Sequence, residues 1–251
     1  MKGHHETDGG ASADHANRVY YDEFAAAYEA ERGGRVPGGY HDLIDELEVG
    51  FLARFAEGAD VLEVGCGTGL IMVQTQRFAR RVTGLDVSPG MLERARARGL
   101  DVVEGSATAL PFPDDHFDVV CAFKVLAHVP DLARALDEMA RVSRRWVIAE
   151  CYNPFSLRAL VKRFGPAGAI SGRTREDAVY TRYDSPAAVH RALPPGTHVA
   201  ASRGIRIVTP VAGALRWPVA GPLLRTAERR WCDGALSRFG GFWIAAIRTD
   251  R

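Results

Sequence analysis

A glycine turn, a carboxylate and a histidine are the residues of this sequence best placed to do chemistry. Val61, Leu62 and Val64 form a short apolar run that leads straight into Gly65, Gly67 and Gly69. Alternate glycines let the chain turn tightly, and a strand passing through them into a helix offers unpaired amides to the polar part of a nucleotide-like ligand. Asp86 ends a second apolar run about 20 residues later, the offset at which a carboxylate accepts both hydroxyls of a ribose. His128 lies just past a fourth apolar run and is the first candidate for a general base, with His41 the second. The plainer role for His128 is a hydrogen bond to the backbone ahead of Pro130. Lys124 admits three roles: a partner for a carboxylate such as Glu150, a contact to an anionic substrate group, or a side chain that reaches solvent, the last being expected.

Positioning these residues takes alternating strands and helices. Residues 1–17 lack apolar periodicity and read as a mobile tail whose His4 and His5 are solvated. From Val19 to Glu31, Tyr21, Phe24 and Tyr28 share one helical face, which either docks on the core or forms a lid whose Tyr20, Tyr21 or Tyr28 touches the ligand. A break from Gly33 to Gly39 around Pro37 precedes a helix from Tyr40 to Phe55. Further helices are expected from Leu70 to Ala79, from the Ser88 cap and Pro89 through Ala95, and from Asp131 through Met139. Strands are expected at Arg81 to Asp86, Leu100 to Glu104, Phe117 to Phe123 and Trp146 to Glu150. Strands alternating with helices make a parallel, doubly wound sheet whose ligands collect beyond the carboxyl ends of the strands.

After Glu150 the pattern changes. A helical piece from Ser156 to Phe164 with Arg158, Lys162 and Arg163, then a polar loop with Arg173, Arg175 and Arg182, read as an inserted cap. Ile205 to Val208 and Phe242 to Ile247 are strand-like, and the helical segment between them carries Arg225, Arg229 and Arg230 near Trp231. The expected organisation is one domain over residues 18–251: a helical lid (18–56), a ligand-binding core (57–150), the cap insertion (151–203) and the last strands with their helical segment (204–251).

Bulk properties narrow the classes. A chain of 251 residues, 47% hydrophobic and 25% charged, suits one large domain, and a net charge of +1 gives no reason to expect nucleic acid. Cys66, Cys121, Cys151 and Cys232 show no paired spacing, so free thiols in a reducing cytoplasm are expected and no metal site is read. The N-terminus has no apolar signal core, and Val211 to Leu224 is interrupted by Arg216, Pro218 and Pro222, which argues against a membrane span. A monomer or homodimer is expected.

Taken together, Glu63-x-Gly65-x-Gly67-x-Gly69, Asp86 and the run Phe117-Asp118-Val119-Val120 resemble the class I S-adenosylmethionine-dependent methyltransferases. Within them the chain is similar to the small-molecule group that includes ubiquinone and menaquinone methyltransferases, over roughly Tyr20 to Glu150. The resemblance implies an α/β fold with a doubly wound, seven-stranded, mostly parallel sheet (the Rossmann-like methyltransferase fold), an antiparallel last strand and helical cap insertions. Ile205 to Val208 and Phe242 to Ile247 would be strands six and seven. It also implies S-adenosylmethionine as cofactor. Gly65 and Gly67 would approach its methionine part, in a turn with Cys66 and Gly69 that Glu63 organises. Asp86 would hold the ribose, Val87 and Met91 would line the adenine, and Ala107 would meet the adenine edge. Ser106 stands where the family often has an acid, so a hydroxyl or the backbone would serve there. Phe123 would border the sulfonium, and Tyr21 and Tyr28 would offer it aromatic faces, core packing being the alternative.

The implied reaction is methyl transfer to a small-molecule acceptor, anionic or aromatic, most simply at oxygen, with nitrogen or carbon as alternatives. A nicotinamide-dependent oxidoreductase is disfavoured because the last glycine of the dinucleotide fingerprint is missing after Gly69. A cofactor-binding module without catalysis is the third reading.

Overall fold

The computed structural model describes residues 17–31, 39–157, 159, 179–209 and 212–249. Its strands are β1 Asp60–Val64, β2 Arg81–Asp86, β3 Asp101–Glu104, β4 Phe117–Ala122, β5 Ser143–Tyr152, β6 Thr197–Ile205 and β7 Phe242–Thr249. They form one seven-stranded sheet in the order β3-β2-β1-β4-β5-β7-β6. β1 to β5 pair in parallel, and β7 runs antiparallel to both its neighbours. This is the α/β, doubly wound sheet expected from the sequence. The flanking helices are α1 (residues 17–24), α2 Tyr28–Glu31, α3 Tyr40–Ala56, α4 Leu70–Thr75, α5 Pro89–Ala97, α6 Leu132–Val142, α7 Pro186–Arg191 and α8 Ala220–Trp231. None of the described helices is long and apolar enough to cross a membrane.

Side-chain alternation along the central strands sorts the core into two layers. Val61, Val82, Val119, Cys121 and Ile148 join Leu47, Phe51 and Leu52 of α3 and Leu92 of α5. Leu62, Val64, Leu85, Val120, Ala122 and Val147 join Leu136 and Met139 of α6 on the other face. A sheet covered on both faces accounts for the unbroken apolar runs that made β1 and β4 readable. Helix α5 starts as its sequence dictates: Ser88 Oγ accepts from Met91 N at 3.1 Å, with Pro89 in the first turn.

Several elements depart from expectation. Strand six occupies Thr197–Ile205 and not Ile205 to Val208, so it begins inside the stretch assigned to the cap. As the edge strand it is half exposed and bulged between Val199 and Ala201, and it therefore lacks the continuous apolar run that marks an inner strand. Helix α4 stops at Thr75 and not Ala79, because the chain turns there to bring Phe78 O to Gly58 N at 2.8 Å. The aromatic N-terminal helix is broken at residues 25–27, where Ala25 is buried against Gly90. Strand β5 extends to Tyr152, two residues past its expected end. The tail at 1–16, the break around Pro37 and Arg158, Lys162, Arg163, Arg173 and Arg175 lie outside the described residues.

Past β6 the backbone depends on a buried acid. Glu228 of α8 accepts from Ile207 N at 3.0 Å and Val208 N at 2.9 Å. Glu228→Ala strands both amides, and a loss of about 2 to 5 kcal/mol in urea unfolding is expected, with Glu228→Gln losing about half as much and the m value unchanged.

Candidate cofactor and acceptor site

The turn after β1 is left-handed at each glycine: φ is +70° at Gly65, +53° at Gly67 and +81° at Gly69. A Cβ on Gly65 would stand 2.1 Å from Val125 Cγ2, and one on Gly69 2.1 Å from Leu100 Cδ1, so packing as well as backbone demands glycine at both. Gly67 differs, with nothing within 4 Å of where its Cβ would be. Its bare backbone faces open space beyond the carboxyl end of β1. Asp86, ending β2, fixes that shape: Oδ2 accepts from Gly67 N at 2.8 Å and Oδ1 from Ser88 N at 2.9 Å. Burial pushes the Asp86 carboxyl up, and the amides of Ser88 and Gly67 oppose the shift. The amide of Val87 adds to these, and a carboxylate has capacity for further donors.

Carboxyls crowd beneath this turn. Lys124, expected to reach solvent, instead places Nζ 2.6 Å from Glu48 Oε2 and 3.2 Å from Asp45 Oδ1, while its amide donates to Glu150 Oε1 at 3.1 Å. Its backbone is left-handed (φ +61°), and the side chain runs back toward α3. Burial raises the carboxyls of Glu48, Glu63 and Glu150, the last two well above the usual range. Glu63 Oε2 is buried with no hydrogen-bond partner, while the buried carboxyls of Glu48 and Glu150 share a hydrogen bond through a retained proton. Buried acids in excess of one ammonium are relieved either by retained protons or by a bound cation. A cationic ligand fits this crevice, because it favours release of the protons these acids otherwise retain.

At the mouth, α1 is stitched to the site by polar contacts. Asn17 Nδ2 donates to His128 O at 2.8 Å, and Asp22 Oδ1 accepts from Ser88 Oγ at 2.6 Å and Gly90 N at 2.9 Å. His128 is buried, with Nδ1 2.9 Å from Tyr180 O; its ring lies edge-on to Tyr21 at 6.2 Å and to Tyr152 at 5.9 Å. The backbone partner is thus Tyr180, across the chain, and not the segment before Pro130. Arg182 holds this strap in place, donating to Pro130 O at 2.8 Å, Leu126 O at 3.0 Å, Val129 O and Asp184 Oδ2.

The remaining candidates are placed as follows. Cys66 is buried, its Sγ 2.7 Å from where a Cβ on Gly84 would be. Met91 is fully buried, Phe123 belongs to the core layer on the α3 side, and Val87 is half-buried after β2, so packing accounts for the first two. Ser106 Oγ lies 2.9 Å from Thr108 Oγ1, and Ala107 shares their loop. The loop's far end is clamped by α6: Leu110 N donates to Glu138 Oε2 at 2.8 Å, and Arg141 donates to Leu110 O at 3.0 Å. His41 is half-buried on the first turn of α3, edge-on to Tyr40 at 5.0 Å. The structure therefore gathers Glu63, Cys66, Gly67 and Asp86 at the turn and Tyr21 with His128 at the mouth. Tyr28 connects to Tyr21 through Phe24 and Tyr20.

Sequence reasoning did not single out Asn17, Asp22, Glu48 or Tyr152. Only Asp22 had a readable signal, since α5 opens with Pro89-Gly90 and leaves the Gly90 amide in need of an acceptor. Among the described residues no cluster of His, Cys, Asp and Glu is arranged to hold a metal.

Known proteins agree with this geometry. A methyltransferase-domain family profile matches residues 62–146. The demethylmenaquinone methyltransferase of Renibacterium salmoninarum is 32% identical over 198 residues, which are 76% of this chain and 74% of that enzyme. The phosphatidylethanolamine N-methyltransferase of Cereibacter sphaeroides is 44% identical over 99 residues, 36% of this chain and 48% of that one. Several curated relatives are matched over less than half of their own length. In fold, an S-adenosylmethionine-dependent methyltransferase from Thermotoga maritima superposes with a TM-score of 0.64 at 19% identity, covering 93% of this chain and 99% of that one. The chain belongs to the S-adenosylmethionine-dependent methyltransferases, and S-adenosylmethionine is the cofactor of that family. Membership sets aside the nicotinamide reading. Gly67's open face, the Asp86 carboxylate and the unpartnered Glu63 oxygen fit a cofactor carrying a ribose and positive charge.

Two outcomes test the site. Gly67→Ala, strained by about 1 to 2 kcal/mol but free of clash, is expected to weaken S-adenosylhomocysteine binding in titration calorimetry while still folding, whereas Gly65→Ala, which meets Val125, lowers thermal stability more. Glu63 and Glu150 hold protons in the folded chain that an unfolded chain sheds above the ordinary value of 4.5, so stability falls as pH rises from there toward the raised folded value. Thermal melts from pH 5 to 8 are expected to show that decline, and Glu150→Gln to flatten it.

Proposed function

We propose that this chain transfers the methyl group of S-adenosylmethionine to an oxygen nucleophile on a small, apolar or aromatic acceptor. The observation that carries the cofactor reading is the excess of buried carboxyls beneath an open glycine backbone, which suits a sulfonium and an ammonium. When bound, the cofactor supplies an electrophilic methyl group. The residues that would hold it are Gly67 and Cys66 of the turn, Glu63 beneath it, Asp86 at the ribose, and Val87, Ser106 and Ala107 around the adenine. In-line displacement asks mainly for alignment, which is worth about 7 to 11 kcal/mol of the barrier. Helix α1 covers the crevice through Asn17 and Asp22, excludes water, and brings Tyr21 beside His128.

For His128 the geometry supports a base. Tyr180 O can only accept, so Nδ1 donates to it and the neutral ring carries its lone pair on Nε2. Tyr21, Tyr152 and Tyr183 around it favour an aromatic acceptor, since their rings offer edges and faces for stacking. The relatives are named for a demethylmenaquinone and for the nitrogen of a phospholipid, and both names point to apolar acceptors. We place the chain in the cytoplasm, on its four buried free cysteines.

His128→Ala is expected to lower kcat for a phenolic or quinol acceptor by about a hundred- to ten-thousand-fold with cofactor affinity retained, and His41→Ala to change it little. Nuclear magnetic resonance of the product identifies the methylated atom. Unchanged turnover in the His128 variant, or a product methylated at carbon or nitrogen, overturns the oxygen reading and leaves alignment as the source of catalysis.

A further inference from the structure

After β6 the chain passes through a short 3-10 turn, Ala212–Arg216, into α8. Between the two, Gly221 N donates to Trp217 O at 2.9 Å and closes a tight corner. A Cβ on Gly221 would lie 2.4 Å from Leu215 O, so the corner closes this tightly only over a glycine. Leu215 is buried beneath, among Tyr40, Leu43, Ile44 and Ile205. Above it, Trp217, Val219 and Leu223 are 63%, 74% and 66% exposed. One exposed apolar side chain is ordinary, but three within a single closed turn are a patch. Pro218 and Pro222 stiffen its backbone, so little freedom is left to lose on docking.

The charges this segment itself carries are mostly basic. From Ala212 to Trp231 there are four arginines and one acid, Glu228, and that acid is buried on the amides of Ile207 and Val208. Arg229 is paired with Glu46 at 2.8 Å. Arg216 and Arg230 are exposed and Arg225 is half-buried. A rigid tryptophan and two aliphatic side chains, flanked in sequence by the exposed Arg216 and Arg230, have the composition that settles at a headgroup boundary and the charge that seeks phosphates. We infer that the Trp217–Leu223 corner docks the chain on an anionic lipid membrane.

The position of the corner gives this a purpose. Ile205 ends β6 opposite Phe242, and Phe242 lies opposite Tyr152 at the end of β5. Phe242 is 5.1 Å from Tyr152, whose ring is 5.9 Å from that of His128. The corner thus springs from the edge of the sheet that carries the mouth of the site. Joined to the proposed reaction, and resting on it for this step only, docking there makes the acceptor an apolar molecule dissolved in the bilayer. Lipid binding itself does not depend on that reaction.

The test is co-sedimentation of the full chain with sucrose-loaded vesicles of phosphatidylcholine, alone or with about a third phosphatidylglycerol. Expected are tighter binding to the anionic vesicles, weakening with salt, and at least tenfold weaker binding by Trp217→Ser/Val219→Ser. Arg216→Gln/Arg230→Gln is expected to bind about 25-fold less tightly to anionic vesicles and to lose most of the preference for them. All four positions are exposed, so both variants should retain S-adenosylhomocysteine affinity and melting temperature, which separates lost docking from lost folding. Wild-type chain that stays in the supernatant with anionic vesicles, or variants that bind as it does, overturns the proposal. Self-association that depends on Trp217 without lipid binding assigns the corner to a second copy and likewise overturns it.

Discussion

The contact of Lys124 Nζ with Glu48 Oε2, 2.6 Å long, is the constraint on which the site's geometry rests. It ties the carboxyl end of β4 to α3, and the next residue, Val125, occupies the space a side chain on Gly65 would need. The shape of the glycine turn is therefore set from below, by an ion pair, as much as by the freedom of its own backbone. Removing one partner of a buried pair costs about 3 to 5 kcal/mol, because the other is left charged and unsolvated. Arg203 braces the same helix from the far side, donating to Leu47 O at 2.9 Å while gripping Asp233 at 2.8 and 2.6 Å.

A second layer of control comes from polar groups that serve two elements at once. Asp86 accepts the amide of Gly67 and that of Ser88, so the glycine turn and the start of α5 move together. Asp22 reaches the same helix start through Ser88 Oγ and the Gly90 amide, which couples α1 to the site's own backbone. An acid near a helix N-terminus is favoured by the unpaired amides there, so α1 is held by a site complementary to its charge. The cover over the crevice depends on the shape of the cofactor turn for its attachment.

This division explains what the sequence could tell. The turn and Asp86 were readable because both signals are local: glycine spacing, and one carboxylate at a fixed offset along a single strand-helix-strand unit. The role of Lys124 was not, since its partners Asp45 and Glu48 lie 79 and 76 positions away on a helix whose facing direction no local pattern fixes. A lysine beside an apolar strand reads as solvent-seeking until a carboxylate is known to stand opposite. Strand β6 escaped for a different reason. Its alternation of half-buried and exposed residues with small side chains, Ala200, Ala201 and Ser202, carries little apolar signal, and only pairing with β7 makes it a strand. Asn17, grouped with the tail, is ordered by a single hydrogen bond to His128 O that composition does not reveal.

The same split bears on why family membership leaves the acceptor open. The residues around the cofactor turn, from Glu63 to Ala107, fall within the stretch matched by the methyltransferase profile, 62–146. His128 falls within it too, but the groups that surround its ring do not: Tyr21 comes from α1, Tyr152 from the end of β5, and Tyr180 and Thr181 from the strap that Arg182 pins. In the proposed function a shared cofactor would fix the turn and the Asp86 carboxylate, since each would answer to a charge or hydroxyl that does not vary. In that reading the acceptor would be selected by packing at the mouth, and the mouth is assembled from three segments outside the common core. Two chains can therefore hold one cofactor alike and differ in chemistry through α1, the strap and the end of β5 alone.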